Sequence, residues 1–406
     1  MEVKLQRKLE VTKLNVKISN FLKRKFKDKN VIFSLICLVA IIVLLIIPTG
    51  FQKAVYNNAE GVKVKILEVN NSSIVNSGLI QSGEQTATIK VLSGSFKGET
   101  HEGVNLLSGS LETDKIFKPG DYAFALIEKT KNDEFLFANL VDHYRLHLEV
   151  LLIGFFVVLL IVFSGSTGVR TIISFAFTLI CILKVFVPML LKGYHPIYLA
   201  LIIGVVISTV TLILVGGFTK KAYSAILGSI AASLITCVFA IFFGNLFNIH
   251  GSILQWSESL IYSGYQNLNL TLIYQAGIYL SCSGAILDLA IDISAAVEEV
   301  VDKKPDISRK EILMSGLNVG RSVVGSQTTT LLLAYMGSFI GVMMVYMAQG
   351  TPLMSILNTK FISSEIVQTF VGCIGLVIVS PLTSVICSWI YGNRQSSQIA
   401  SEKLGE

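Results

Sequence analysis

Two carboxylates stand four residues apart in an otherwise apolar run. They are Asp288 and Asp292 in the stretch 281–294, Ser-Cys-Ser-Gly-Ala-Ile-Leu-Asp-Leu-Ala-Ile-Asp-Ile-Ser. Positions i and i+4 of a helix share a face, so both acids point one way while Leu287, Leu289, Ile291 and Ile293 point elsewhere. Carboxylates set this close repel each other and are stripped of water, which suits them to take up a proton or, through four oxygens, a cation. Ten residues, about 15 Å of helix, separate Asp288 from Glu298.

A second polar run, residues 318–330, reads Asn-Val-Gly-Arg-Ser-Val-Val-Gly-Ser-Gln-Thr-Thr-Thr. Asn318, Arg321, Gly325 and Thr328/Thr329 recur at helical spacing. They lead into the apolar residues 331–335 and the close-packing pair Gly337-x-x-x-Gly341. Arg321 is the candidate counter-charge of Asp292, while Gln327, Thr328, Thr329 and Thr330 are candidates to coordinate at the depth of Asp288. Ordinary hydrogen bonding between helices is the competing explanation. Lys184 is a third candidate, either reaching to a membrane surface or pairing with Asp288.

Other chemistries lack their residues. No G-x-x-x-x-G-K-[ST] loop occurs, which argues against ATP-driven transport by this chain alone. His101, His143, His147, His195 and His250 are scattered without metal spacing, and no Ser/His/Asp arrangement stands out. No enzymatic activity and no cofactor are therefore expected. Cys37, Cys181, Cys237, Cys282, Cys373 and Cys387 fall in apolar stretches with no C-x-x-C spacing, as small buried hydrophobes do.

The elements that hold these residues are apolar helices. The 406 residues are 52% hydrophobic and 15% charged, with a net charge of +6 and a mean hydropathy of +0.67. A soluble chain carries about a quarter charged residues, so the deficit marks an integral membrane protein and excludes a cytosolic enzyme. The positive excess lies in the N-terminal tail, and no nucleic-acid partner is expected. Apolar runs at 31–47, 150–163, 171–191, 196–215, 222–246, 270–293, 322–347 and 366–391 predict eight spans of an all-α transmembrane bundle. The sixth is interrupted by Gln275, Asp288 and Asp292. The first follows ten Lys/Arg residues and precedes Pro48-Thr49-Gly50, so it reads as an uncleaved signal anchor.

Lysine and arginine set the orientation. With the N-terminus inside, Arg170, Lys220, Lys221, Lys303, Lys304, Arg309, Lys310, Arg321, Arg394 and Lys403 are internal, and the short external loops hold Lys192 and Lys360. Both termini are then cytoplasmic. Residues 1–30 form a basic tail suited to anionic lipid, 31–49 the anchor, 50–147 an extracytoplasmic β domain, 148–392 a seven-helix domain and 393–406 a second tail. The β domain alternates with period two at 62–69, 85–92, 122–128 and 134–141. Turn residues stand at Asn70-Asn71, Ser93-Gly94-Ser95, Lys97-Gly98 and Pro119-Gly120. This predicts a small barrel of five or six strands resembling the OB-fold, with Tyr122, Phe124, Phe135 and Phe137 in its core. A structural cap or partner-docking module is favoured over a ligand-binding one.

The stretch Gly284-Ala285-Ile286-Leu287-Asp288, with its Ser/Ala/Glu-rich continuation to Glu299, resembles the YibE/F family of bacterial membrane proteins. So does Gly316-Leu317-Asn318-Val319-Gly320-Arg321, through Gly325 to Leu331-Leu332-Leu333-Ala334-Tyr335-Met336-Gly337. The sequence departs from that pattern at Ser322, where an acid is expected, and at 326–330, where a Thr-Met-x-Asn-Thr-like run is expected. The resemblance implies a multi-pass protein of the bacterial plasma membrane, in a group often taken for permeases. It also implies a partner, either a second membrane protein of the same family or another copy of the chain. The function expected is proton- or cation-coupled transport of a small solute or ion across the lipid bilayer. The competing expectation is a non-transporting scaffold or receptor whose β domain docks a partner.

Overall fold

The computed structural model describes residues 29–51, 59–130 and 132–402. The basic tail expected on lipid and the final residues 403–406 lie outside these. Two compact units divide the chain: Gly50–Phe163, and Met1–Thr49 with Ser164–Glu406.

The smaller unit holds five strands: β1 (Ala59–Ser77), β2 (Ile80–Val91), β3 (Thr100–Ser108), β4 (Tyr122–Lys129) and β5 (Phe135–His143). They close a barrel in the order β1-β2-β3-β5-β4. All neighbours are antiparallel except β3 and β5. Strand β3 gives no apolar alternation because its inward positions are Gly103, Asn105 and Leu107. The Asn70-Asn71 pair makes no turn. It lies inside β1 at a register irregularity, and the chain reverses instead at Gly78, whose φ of 66° suits glycine.

The aromatic residues expected in the barrel core are mostly outside it. Tyr122, Phe124 and Phe137 are exposed, and only Phe135 packs against the interior. Five strands enclose a narrow lumen, and residues of the size of Val62, Val64, Ile66, Ile89, Ala123, Ala125 and Leu140 fill it. Phe117, from the β3–β4 connection, is buried there as well. The buried Gln85 fastens that connection: its Nε2 donates to the Phe117 carbonyl at 3.0 Å and its Oε1 accepts from Phe117 N at 3.0 Å.

The helices follow as α1 (Lys29–Ile46), α2 (Leu146–Cys181), a π-helical turn (Ile182–Phe186), α3 (Val187–Leu191), α4 (Pro196–Gly216) and α5 (Lys220–Leu246). Then come α6 (Ser257–Tyr262), α7 (Leu270–Lys303), α8 (Arg309–Ala348), α9 (Leu353–Leu357) and α10 (Lys360–Glu402). Among the described residues, seven helical stretches are long and apolar enough to cross a membrane, with Leu146–Leu191 as one of them. The runs 150–163 and 171–191 both lie on that stretch, on either side of Gly165. There φ 56° and ψ −126° break the helix. By contrast, α7 runs unbroken through Gln275, Asp288 and Asp292, and α8 runs unbroken through its glycines.

Small residues let the larger unit pack closely. A Cβ on Gly228 would strike Thr383, one on Gly375 would strike Thr236, and one on Gly372 would strike Cys282. Helix α8 seats Gly316 and Gly320 against Ser384 and Ser380 of α10 in the same way. The pair Gly337 and Gly341 does not act so. Both are exposed, with nothing within 4 Å of a Cβ placed there.

Polar contacts gather at two ends of the bundle. At one, Lys221 Nζ lies 3.2 Å from Glu298 Oε2, Tyr391 donates to Glu298 Oε1 at 3.3 Å, and Phe218 N donates to Asn30 Oδ1 at 3.2 Å. At the other, Tyr274 donates to the Ser364 carbonyl at 2.8 Å, and the buried Gln275 donates to Asn245 Oδ1 at 2.9 Å. The first end carries Lys220, Lys221, Lys303, Lys304, Arg309 and Lys310, the second Lys184, Lys192 and Lys360.

Candidate functional site

Helix α7 buries Ile286, Leu289, Ala290, Ile293 and Val297. The opposite face is open, and on it stand Gly277, Ser281, Gly284, Asp288, Asp292 and Glu299. The two aspartates are therefore on one face and uncovered, about 6 Å apart along the axis. Asp288 is also about 15 Å from the level of Glu298 and its lysine. Among the described residues, no ion pair or hydrogen bond satisfies either acid. Charge at such a depth costs roughly 2.5–3.5 kcal/mol on insertion scales unless water, an ion or a counter-charge attends it.

Helix α8 runs antiparallel beside α7, with Gly320 against Ile293 and the Tyr335 hydroxyl 3.6 Å from Cys282 Sγ. Interpolating between these contacts puts Asp292 level with Arg321 and Asp288 level with Gln327. Level is not paired, however. The docked face of α8 carries Gly316, Gly320 and Leu331; at 3.6 residues per turn Asn318, Gly325 and Thr329 fall opposite it, and Arg321 about 100° round from Gly320. Arg321 is exposed and makes no ion pair among the described residues.

The hydroxyls of this run are spent on their own helix. Thr328 donates to the Val324 carbonyl at 2.9 Å, Thr329 to Gly325 at 3.0 Å and Thr330 to Ser326 at 3.0 Å. Ser322 and Ser326 likewise donate to Val319 and Val323, at 2.7 and 3.0 Å. A hydroxyl has one proton and two lone pairs, so each of these side chains keeps only acceptor capacity for anything beyond the helix. That chemistry suits a proton donor or a cation.

Lys184 lies elsewhere. Its Nζ donates to the Leu45 carbonyl at 3.3 Å, near the C-terminus of α1, rather than to Asp288. A cation is favourable at the free carbonyls of a helix end. The π-helical turn that holds Lys184 continues into α3 with Pro188 near its start.

Sequence reasoning missed a cluster of neutral groups above the acids. Gln368 Nε2 of α10 donates to Ser281 Oγ at 3.3 Å, beside the Tyr335–Cys282 contact. Three helices meet there, seven residues or about 10 Å from Asp288 along α7. The recognisable signal is Glu365 and Gln368, three apart on the entry turns of the last apolar run. A cavity of about 630 Å³ opens farther toward the same end, lined by Asn245, His250, Gln266, Asn267, Asn269 and Thr271, with no charged residue in its wall. Beside it, Gln275 Oε1 is buried without a hydrogen-bond partner.

Several long apolar helices, closely packed through small residues, fit a membrane protein. The family of YibE/F-like proteins matches residues 152–393, more than half of the chain, and the chain belongs to that family. The match covers α7, α8 and the spanning part of α10, hence both polar runs. No curated protein and no solved structure matches the chain.

Proposed function

We propose that this protein is a secondary transporter in which Asp288 and Asp292 bind and release the coupling proton or cation. The observation that carries the reading is the pair itself: two carboxylates a turn apart on an uncovered face of α7, well inside the ionic end of the bundle. The acceptor-rich face of α8 at the same depth and the Ser281–Gln368–Tyr335 cluster supply stations along α7 for a proton or a cation to pass. The neutral cavity beyond them serves as the mouth for a small solute. The Lys/Arg-rich end is read as cytoplasmic, which puts both termini inside and the barrel outside the plasma membrane. The barrel's strand order, with its parallel β3/β5 closure, supports an OB-like reading.

A second reading, a scaffold or receptor that docks a partner through the barrel, rests on one observation. The long β1–β2 hairpin carries Val75, Leu79 and Ile80 exposed at and near its tip, with Leu79 at 85%.

Proteoliposomes holding a pH-sensitive dye test the transport reading, with candidate ions and solutes added outside. The native chain is expected to move protons or to couple them to one added solute, and Asp288→Asn and Asp292→Asn each to lose that movement. Equal traces from all three folded proteins would sink the coupling role of the pair.

A further inference from the structure

The open faces of α7 and α8 carry opposite charges that the single chain leaves apart. Asp288 and Asp292 are exposed on α7, Arg321 is exposed on α8, and among the described residues no ion pair joins them. Arg321 stands about 100–140° round α8 from its docked glycines Gly320 and Gly316, on an uncovered face.

We propose that a second copy of this chain covers these faces, with Arg321 of each copy set against Asp292 of the other. The inference rests on the reading that α7 and α8 cross a membrane. A twofold axis along the membrane normal changes no residue's depth, so residues level within one copy stay level between copies. Asp292 and Arg321 are level in this chain, and such an axis brings them together twice, once on each side. A single self-complementary chain supplies both charges, which is the argument for a second copy over a different protein. Space for the approach is present: Gly277 and Gly284 on α7, and Gly325 on the Arg321 side of α8, have nothing within 4 Å of a Cβ position. Small residues of this kind are what lets helices meet closely in lipid. The partner's Arg321 then offsets the charge that the aspartate pair carries once its proton or cation has left.

Charge reversal in differently tagged, co-expressed chains tests the arrangement. Asp292→Arg alone and Arg321→Asp alone each set like charges together in both contacts, and each is expected to lower co-purification of the two tags at least tenfold. Co-expressing one with the other restores an opposite pair at both contacts, and co-purification is expected to return to the native level. Single variants that stay as dimeric as the native chain would overturn the proposal, and so would failure of the mixed pair to recover.

Should a reversed charge prevent folding, Gly284→Cys and Leu332→Cys on separate tags give a second reading, since both are exposed and the same interpolation sets them level. A disulfide linking the two tags after mild oxidation is expected, and its absence from well-folded membranes counts against the interface. Flux is read on the native chain, so the two readings separate. A native chain that pairs as described but moves no ion removes the transport reading and keeps the interface, while a native chain with full flux that never pairs removes the interface.

Discussion

Two pairs of opposite charge have different fates in this chain. Lys221 and Glu298 meet at 3.2 Å at one end of the bundle, whereas Asp292 and Arg321, level with each other, do not meet within the chain. Sequence spacing alone puts Asp288 and Asp292 on one face, because i and i+4 on a helix leave no freedom. It cannot give the rotation of α8 about its axis, which is decided by Gly316 and Gly320 seating on serines of α10. Nor does it give the Gln368–Ser281 contact, which joins residues 87 positions apart. Lys184 shows the same limit, since its partner is a backbone carbonyl of α1. Lys184→Met is accordingly expected to cost only about 0.3–1 kcal/mol, the range for a charge at a helix end. Thermal unfolding in detergent should show a small drop in midpoint, and proteoliposome flux should equal the native rate; a loss of flux would return Lys184 to the ion path.

At the scale of elements, the apolar runs are legible because a membrane helix must be long and uncharged. The breaks are partly so: α2 breaks at Gly165, in the gap 164–170 between two of the runs, but α7 carries Gln275 and two acids without interruption. In the barrel, period two identifies four strands and omits β3, whose inward residues are glycine, asparagine and leucine. Period two also says that two faces exist without saying which is inside: in β4 the narrow lumen takes Ala123, Ala125 and Ile127 and turns the aromatics out. The α8–α10 seam offers a direct check of element packing. Gly320→Val would push a side chain into Ser380, and overpacking of this kind costs about 1–3 kcal/mol. A lowered unfolding temperature is expected, with Gly337→Val, on the open part of the same helix, near the native value. Equal effects at the two positions would contradict the packing described.

The whole molecule joins a closed β-barrel unit to a helical unit whose polar groups gather at both ends and along the open face of α7. Belonging to the YibE/F-like family fixes the class of membrane protein, while the chemistry is argued from Asp288 and its surroundings. The central claim is that the open face of α7 meets water or an ion path rather than lipid. Reaction of Asp288→Cys with a charged, membrane-impermeant thiosulfonate tests it most directly. Val238→Cys serves as comparison, as Val238 is also exposed but lies on an apolar face of α5. The native chain is the blank, since all its cysteines but the half-buried Cys373 are buried. The account predicts that Asp288→Cys reacts while Val238→Cys stays unlabelled. An Asp288→Cys chain as silent as Val238→Cys would place the acid against lipid or a dry partner and contradict the coupling site.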